Sequence, residues 1–292
     1  MKLGASLGNL TIGTDWVEIR HLVEELDEAG FDSLSTNDHV VGGHPDRAHG
    51  ESVHTSATGV HEPLVFLSFV AAVTRRIELV TGVLLLPQRQ TTLVAKQCAE
   101  LDLLSGGRLR LGVGIGRNWM EYEALNQDFT TRGRRIEEQV EVLRAYWTQE
   151  HVTYRGRWHD LDRVGLNPMP VQRPIPIWMG SFVGFVDERV VERIGRMADG
   201  WLPQFPPEQL APVLERVWDS ARAAGRNAAD LGIECVIRAR ADHDPARWVD
   251  LAQAYREVGA THLKVAATAD SPAGVVHIMR RWLDAVGPAT GR

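Results

Sequence analysis

The chain has few of the residues on which secreted and membrane proteins depend. Its 292 residues include 2 cysteines, Cys98 and Cys235, too few for a disulfide framework or a four-thiolate zinc site. No apolar run approaches the ~18 residues that a membrane-spanning helix needs, and the N-terminus has no signal-peptide pattern. These absences predict a cytoplasmic protein without a membrane segment.

Positive charge is also scarce. The chain has 32 Lys and Arg against 38 Asp and Glu, which gives a net charge of -6. Such a chain is not expected to bind nucleic acid through a broad cationic surface. Lysine occurs at Lys2, Lys96 and Lys264, so arginine carries nearly all the positive charge. The composition therefore favours a small-molecule partner over a nucleic acid or a membrane.

Short apolar runs alternate along the chain with longer helical patterns, which is typical of a parallel sheet with crossover helices. The predicted strands are Lys2–Gly8, Asp32–Asp38, Ile77–Leu85, Leu109–Gly114, Ile175–Gly180, Gly200–Gln204, Ile233–Arg240 and His262–Ala267. The predicted helices are Thr14–Ala29, Pro63–Thr74, Thr91–Leu104, Trp119–Gln149 with a break at Thr130–Gly133, Asp187–Ala198, Pro207–Ala224, and two that end at Val258 and Val286.

Eight strands and eight helices in strict alternation predict an α/β fold, a single (β/α)8 TIM barrel over residues 1–292. Two segments exceed what the barrel needs. Residues 40–61 lack periodicity and are expected to form a long loop, and residues 150–174 are expected to start with a hairpin that turns at Gly156. Both are insertions into the barrel.

A polar pair, Asp38 and His39, ends the second predicted strand. Catalytic groups of such barrels collect at the C-terminal ends of the strands, and an imidazole beside a carboxylate is suited to proton transfer near neutral pH. His39 is the candidate catalytic residue. A purely structural histidine remains the alternative.

Five histidines lie within a short stretch, at His39, His44, His49, His54 and His61. Their regular spacing in a Gly- and Ser-rich loop matches no zinc-ligand template. No metal site is predicted.

Glycines mark two further strand ends. Gly112, Gly114 and Gly116 close the fourth strand, but the third glycine comes too early for a dinucleotide motif. They indicate a place where backbone approaches a ligand or crowded neighbours. The turn Gly180–Gly184, with Ser181, precedes a helix on the catalytic face and predicts an anion site for a phosphate, with a plain turn as the alternative.

Taken together, these stretches resemble the luciferase-like monooxygenase superfamily. The likeness covers about residues 1–225 and is carried by Phe31–Leu34 with Asp38-His39, Ile77–Val83, Leu101–Gly114, Arg132–Arg134, Ile177–Gly180 and Ala198–Trp201. Within the superfamily, the chain most resembles the branch that uses the deazaflavin coenzyme F420.

The resemblance implies a barrel that holds a flavin-type ring at its C-terminal mouth. It places Asp38 beside the ring, a non-proline cis peptide at Gly82-Val83 behind it, and the turn from Gly180 at its phosphate. Cofactor binding is thereby expected of Asp38, Gly82, Val83, Gly114, Gly116, Gly180 and Ser181. The expected activity is hydride transfer between F420 and a small organic substrate, with His39 as acid or base and the 40–61 loop as a lid.

The chain departs from the F420-dependent sugar-phosphate dehydrogenases at Arg117, where those relatives carry an acidic residue. An arginine there suits an anionic substrate or the acidic tail of the cofactor. Two other functions stay open: an FMN-dependent monooxygenase and a non-catalytic flavin-binding protein. The apolar helices Pro63–Thr74 and Thr91–Leu104 suggest a homodimer face, which the resemblance also implies.

Overall fold

The computed structural model describes residues 1–8, 12–47, 54–182 and 186–291, and its centre is a closed parallel barrel. The strands are β1 (Lys2–Leu7), β2 (Ser33–Thr36), β3 (Glu78–Thr81), β4 (Leu84–Leu85), β5 (Leu109–Gly114), β6 (Val152–Arg155), β7 (Asp160–Val164), β8 (Ile177–Phe182), β9 (Gly200–Gln204), β10 (Gly232–Arg240) and β11 (His262–Thr268). Around the barrel the order is β1-β2-β3-β5-β8-β9-β10-β11, and β11 pairs with β1 to close it. The predicted (β/α)8 fold is confirmed.

Helices connect the strands on the outside of the barrel. They are α1 (Trp16–Ala29), α2 (Pro63–Val73), α3 (Thr91–Ser105), α4 (Trp119–Ala124), α5 (Arg132–Thr148), α6 (Glu188–Met197), α7 (Pro207–Ala223), α8 (Pro245–Glu257) and α9 (Pro272–Ala289). None of the described helices combines the length and apolarity that crossing a membrane requires. The predicted break between α4 and α5 is present, with a 3₁₀ turn at Phe129–Thr131.

The two ends of α1 show how local chemistry sets the helix bounds. The predicted start at Thr14 is two residues early, because the Asp15 carboxylate caps the helix by accepting hydrogen bonds from the backbone N–H groups of Val17 and Glu18. Aspartate is preferred to threonine at the cap position, where its side-chain oxygen satisfies otherwise unpaired N–H groups of the first turn. The C-terminal prediction holds, since Gly30 adopts φ 93° and ends the helix in the left-handed region.

Two predicted strands are shorter than the sequence suggested. β2 ends at Thr36, and the third strand is divided into β3 and β4 by a cis peptide bond between Gly82 and Val83. After the cis bond, Leu84 and Leu85 pair with Val113 and Gly114 of β5. The Leu85 N–H donates to Asp38 Oδ2 at 2.8 Å.

The predicted hairpin is present as the antiparallel pair β6 and β7, outside the barrel. The Gly156 N–H donates to the His159 carbonyl at 2.8 Å and closes the turn. A Cβ at this position would lie 2.3 Å from Glu138 Oε1, so the glycine leaves room for that carboxylate.

The N-terminal half of the barrel interior is filled by charged and aromatic side chains. Arg110 on β5 donates to Glu78 Oε2 and to Glu234 Oε1, both at 2.9 Å, and is 2% exposed. Its guanidinium carbon lies 4.2 Å from the centroid of the Trp178 ring. His262 packs edge-on against the same ring at 5.0 Å. These residues close the barrel at its lower end.

The C-terminal half of the interior is lined by small residues. Inward and outward positions alternate along each strand, and the inward positions of the upper layers include Ser6, Gly82, Gly114, Gly180 and Ala266. All of these except Gly114 are half-buried rather than buried. The barrel is therefore closed below and open at the mouth, where a ligand can enter.

The half-buried His262 makes the stability of the fold depend on pH. Burial lowers its pKa to about 4, and the nearby Arg110 acts in the same direction. Between pH 6.5 and 4 the unfolded chain binds a proton at this site and the folded chain does not, so stability falls as the pH decreases. We expect the melting temperature to fall through this window, by about 2–4 °C for each kcal/mol lost.

Scanning calorimetry of His262→Asn provides the comparison. The variant should show a shallower loss of melting temperature between pH 6.5 and 4 than the parent. The exposed His277 on α9 offers a matched control, because His277→Asn should leave the slope unchanged. Equal slopes for the parent and His262→Asn contradict the prediction.

Candidate active site

A histidine held by a buried carboxylate lies at the mouth of the barrel. His39 follows β2, and its Nδ1 lies 3.2 and 3.3 Å from the two carboxylate oxygens of Glu121. Glu121 is fully buried, whereas the His39 side chain is 22% exposed. Glu121 Oε1 also accepts the Val40 N–H at 2.9 Å. One carboxylate thus fixes both the imidazole and the backbone that follows it.

The short helix α4 places Glu121 behind His39. Asn118 caps the helix by accepting the Met120 N–H with its side chain. The spacing Asn118-x-x-Glu121 is that of a capping box, but here the Glu121 side chain turns to His39 and Val40. The cap sets the start of the helix and thereby the position of the carboxylate.

Asp38 is committed to partners inside the protein. It is 2% exposed, and its Oδ1 accepts Arg89 Nη2 at 2.8 Å. Arg89 also donates to Glu62 at 2.7 Å. Burial raises the pKa of Asp38, and the guanidinium of Arg89 opposes that rise. The carboxylate ties the end of β2 to the segment after β4, so it fixes the backbone on which His39 stands.

Val83 joins three of the predicted cofactor-binding residues. A Cβ at Gly114 would lie 2.6 Å from Val83 Cγ2, and one at Gly180 would lie 2.7 Å from Val83 Cγ1. Both distances are shorter than carbon atoms approach one another. The two glycines therefore accommodate the Val83 side chain, and Gly82, Val83, Gly114 and Gly180 form one surface at the mouth.

Two other predicted cofactor-binding residues, Gly116 and Ser181, contact residues other than Val83. Gly116 has φ 64° and faces Leu85, so a side chain there would be strained and crowded. The Ser181 hydroxyl is buried and accepts Trp201 Nε1 at 2.7 Å, on the outer side of β8. Residues 183 and 184 of the anion turn lie outside the described residues. Phosphate binding at this turn stays a prediction.

The insertion after β2 places a second histidine on His39. The rings of His39 and His54 are 3.9 Å apart between centroids and tilted by 43°. Burial lowers the pKa of His54, and the charges of His39 and Arg117 add to that effect. The arms of the insertion are joined where the Ser56 N–H donates to the Gly43 carbonyl at 2.9 Å.

A cavity of ≈ 280 Å³ lies between these arms. It is lined by His39, Val40, Val41, Gly42, His54, Thr55, Ser56, Thr58 and Val60. Residues 48–53 of the insertion lie outside the described residues, so its action as a lid stays a prediction. Among the described residues, no group of three His, Cys, Asp or Glu side chains is placed to hold a metal ion.

Arg117 stands at the rim of the mouth, after β5. It is exposed, and its guanidinium carbon lies 5.5 Å from the centroid of the Phe182 ring. Within the described residues it forms no ion pair with a carboxylate. Its charge acts on His54, which places it on the side of the mouth where the insertion lies.

The sequence alone did not identify Glu121, Arg89 or the pairing of His54 with His39. Glu121 has the spacing of an ordinary helix cap, and Arg89 lies in a short polar stretch without a motif. His54 belonged to a histidine series with no ligand pattern. Their roles follow from contacts between segments that are far apart in the chain.

Comparison with protein-family models identifies the family. Residues 3–281 match the model described as luciferase-like monooxygenase. The chain belongs to the luciferase-like monooxygenase family. The predicted family is confirmed, and so is the prediction of an enzyme.

Curated relatives and solved structures agree with this membership. This chain is 30% identical to an uncharacterised protein of Mycobacterium tuberculosis over 222 residues. The aligned region covers 74% of this chain and 75% of the relative. The chain is also 31% identical over 253 residues to an F420-dependent glucose-6-phosphate dehydrogenase of Segniliparus rotundus, with 80% of this chain and 67% of the relative covered. An F420-dependent secondary alcohol dehydrogenase in complex with an F420-acetone adduct has a similar fold, with a TM-score of 0.81, 15% identity and 98% of each chain covered.

The contact of Val83 with its glycines can be tested by one substitution. We expect Gly114→Ala to destabilise the fold by about 1–3 kcal/mol, because the added methyl group displaces Val83. Urea unfolding measures the change. Gly287→Ala in α9 is the matched control, since a Cβ there meets nothing within 4 Å and alanine favours a helix. A Gly114→Ala variant as stable as the parent contradicts the packing described above.

Proposed function

We propose that this luciferase-like enzyme transfers a hydride between coenzyme F420 and a small organic substrate. The observation that carries the proposal is the His39–Glu121 pair, which follows β2 at the barrel mouth, while Gly82 follows the neighbouring strand β3 and belongs to the surface formed with Val83, Gly114 and Gly180. Relatives with 27% and 31% identity are F420-dependent glucose-6-phosphate dehydrogenases. Cys98 and Cys235 are free and buried. Reduced cysteines are typical of cytoplasmic proteins, which supports a cytoplasmic location.

The residues at the mouth fit a planar ring. The upper barrel interior carries small, half-buried side chains, and Val83 presents an apolar surface across Gly114 and Gly180. Below it, the interior is filled by Arg110 and Trp178, so a ring entering from the mouth has a fixed depth. When bound, a deazaflavin accepts or donates a hydride at C5.

His39 moves the proton that accompanies the hydride. The Glu121 carboxylate accepts, so Nδ1 of His39 is assigned as the donor and Nε2 of the neutral ring holds the lone pair. Nε2 then takes a proton from a substrate hydroxyl or returns it to a carbonyl, depending on the direction of reaction. Glu121 keeps the tautomer and the orientation of the ring.

Arg117 is proposed to hold an anionic group of the substrate. It is exposed at the rim, has no carboxylate partner among the described residues, and lies on the same side of the mouth as His54. A guanidinium pairs with a carboxylate or a phosphate through two parallel hydrogen bonds. The acidic tail of the cofactor is the other group that this arginine suits.

A homodimer is proposed through the faces of α2 and α3. Val65 on α2 and Leu93, Leu103 and Leu104 on α3 are large apolar side chains with exposures between 40% and 68%. Apolar side chains that share one face of a monomer indicate an interface. The mass of the purified chain in solution, measured by light scattering, decides whether it pairs.

The choice of cofactor is tested by titrating the purified protein with F420 and with FMN. We expect F420 to bind with a micromolar or lower dissociation constant and FMN to bind at least about 10-fold more weakly, a difference of ~1.4 kcal/mol. Changes in cofactor fluorescence measure both. Tight binding of FMN alone supports the FMN-dependent monooxygenase and contradicts the proposal.

Turnover of F420 with a panel of small alcohols and carbonyl compounds tests the residues. We expect His39→Asn to lower kcat by about 10²–10⁴-fold while F420 still binds, because the proton acceptor is lost. Arg117→Gln should instead raise KM for anionic substrates by about 10-fold, more than for neutral ones. An unchanged kcat in His39→Asn rules out the proton role, and an equal KM change for both substrate classes rules out the anion contact.

A further inference from the structure

A buried cation in the barrel interior has no part in the proton transfer at His39. Lys264 occupies an inward position of β11, and its side chain is 11% exposed. Its Nζ lies 3.2 Å from Glu234 Oε2. Lysine is rarely buried in proteins unless its charge serves a purpose or is fully paired.

The Lys264 ammonium lies directly beneath the mouth. A Cβ at Gly82 would lie 3.3 Å from Lys264 Nζ and 3.3 Å from Ser35 Cβ. The amine therefore reaches from β11 across the interior to the backbone of Gly82, at the end of β3. Gly82 also belongs to the surface on which the ring is proposed to lie, so Lys264 forms the floor of that surface.

Lys264 has more hydrogen-bond donors than its partner uses. Its ammonium carries three N–H groups, and Glu234 Oε2, which lies 3.2 Å from Nζ, takes no more than one of them. The other oxygen of Glu234 accepts Arg110 Nη2 at 2.9 Å. The charge of Lys264 is balanced, while its remaining N–H groups stay available to an acceptor above them.

Arg110, Lys264, Glu78 and Glu234 form an ionic layer in the barrel interior, and its charges are arranged along the barrel axis. Arg110 pairs with Glu78 at the start of β3 as well as with Glu234. The two cations and two carboxylates cancel in sum, but Lys264 is the member in contact with Gly82. The positive end of the layer therefore faces the mouth.

We propose that Lys264 donates a hydrogen bond to a carbonyl oxygen or ring nitrogen of the bound deazaflavin and stabilises the negative charge of its reduced form. This inference rests on the proposed function. A hydride, one proton with two electrons, leaves the substrate carbon and bonds to C5, and the substrate hydroxyl proton passes to His39. The ring then carries one more negative charge than it did before the transfer. A nearby ammonium lowers the free energy of that anion.

Dissociation constants for oxidised and reduced F420, measured anaerobically by fluorescence, test the inference without turnover. Lys264→Met should weaken binding of reduced F420 about 10-fold more than binding of oxidised F420, because a charge-assisted hydrogen bond is lost only where the acceptor is charged. Glu234→Gln breaks the same ion pair from the other side and keeps the ammonium. It should leave the preference for reduced F420 unchanged or increase it.

Lys96→Met is the matched control, since this lysine pairs with Glu100 on the exposed face of α3. It should change neither constant. Circular dichroism and melting temperature establish folding, and Lys264→Gln replaces Lys264→Met if the latter does not fold. Equal losses for both forms of F420, or the same shift in Lys264→Met and Glu234→Gln, assign Lys264 a structural role and overturn the inference. A parent protein that binds neither form overturns the proposed function and this inference together.

Discussion

The unequal filling of the barrel interior is the constraint on which the site depends. An eight-stranded barrel leaves just enough room inside for side chains to fill it. Here Arg110, Trp178, Glu234 and His262 occupy the lower layers, with the glycines Gly200 and Gly232 making room for the Trp178 ring. The upper layers have small residues in the same inward positions. The boundary between the filled lower layers and the open upper layers therefore lies at a fixed depth. A ligand can bind only above that boundary.

The charges of the lower layer explain why it is both stable and useful. Burying Arg110 and Glu234 costs solvation, and they repay that cost only as a hydrogen-bonded set. Burial alone would raise the pKa of Glu234, but Arg110 and Lys264 hold it down at about 2. The carboxylate stays charged across the physiological range. The layer can then support a cation at Gly82 without leaving a net buried charge.

Above this layer, two carboxylates control the backbone and the imidazole that follow β2. Asp38 joins the end of β2 to Leu85 and Arg89, and Glu121 joins His39 and Val40 to α4. Neither carboxylate needs to touch substrate to matter. Each fixes a segment that presents a group to the mouth. Gly114 and Gly180 also act indirectly, because their lack of a side chain leaves room for Val83.

The parts of the fold with local causes were predictable. Hydrophobic periodicity located each barrel strand within a few residues, and Gly30 ended α1 as expected because left-handed backbone favours glycine. The predicted ends of strands were wrong where a contact with a residue distant in the chain sets the end of the strand. The hydrophobic pattern ran strand three on through Gly82-Val83, where the family resemblance had placed the cis peptide bond that the structure contains. Neither could show that Asp38 pairs with a backbone N–H 47 residues away.

By itself, the sequence determined the alternation of strands and helices, the family, and the position of His39 at the end of a strand. These depend on residues near one another in the chain or on motifs. The tertiary structure decided that Glu121 supports His39 across 82 residues, that His54 lies on its ring, and that Lys264 reaches Gly82. Such contacts depend on barrel closure and strand register, which bring inward-facing residues of separate strands to the same height in the barrel. A local sequence pattern does not specify that register.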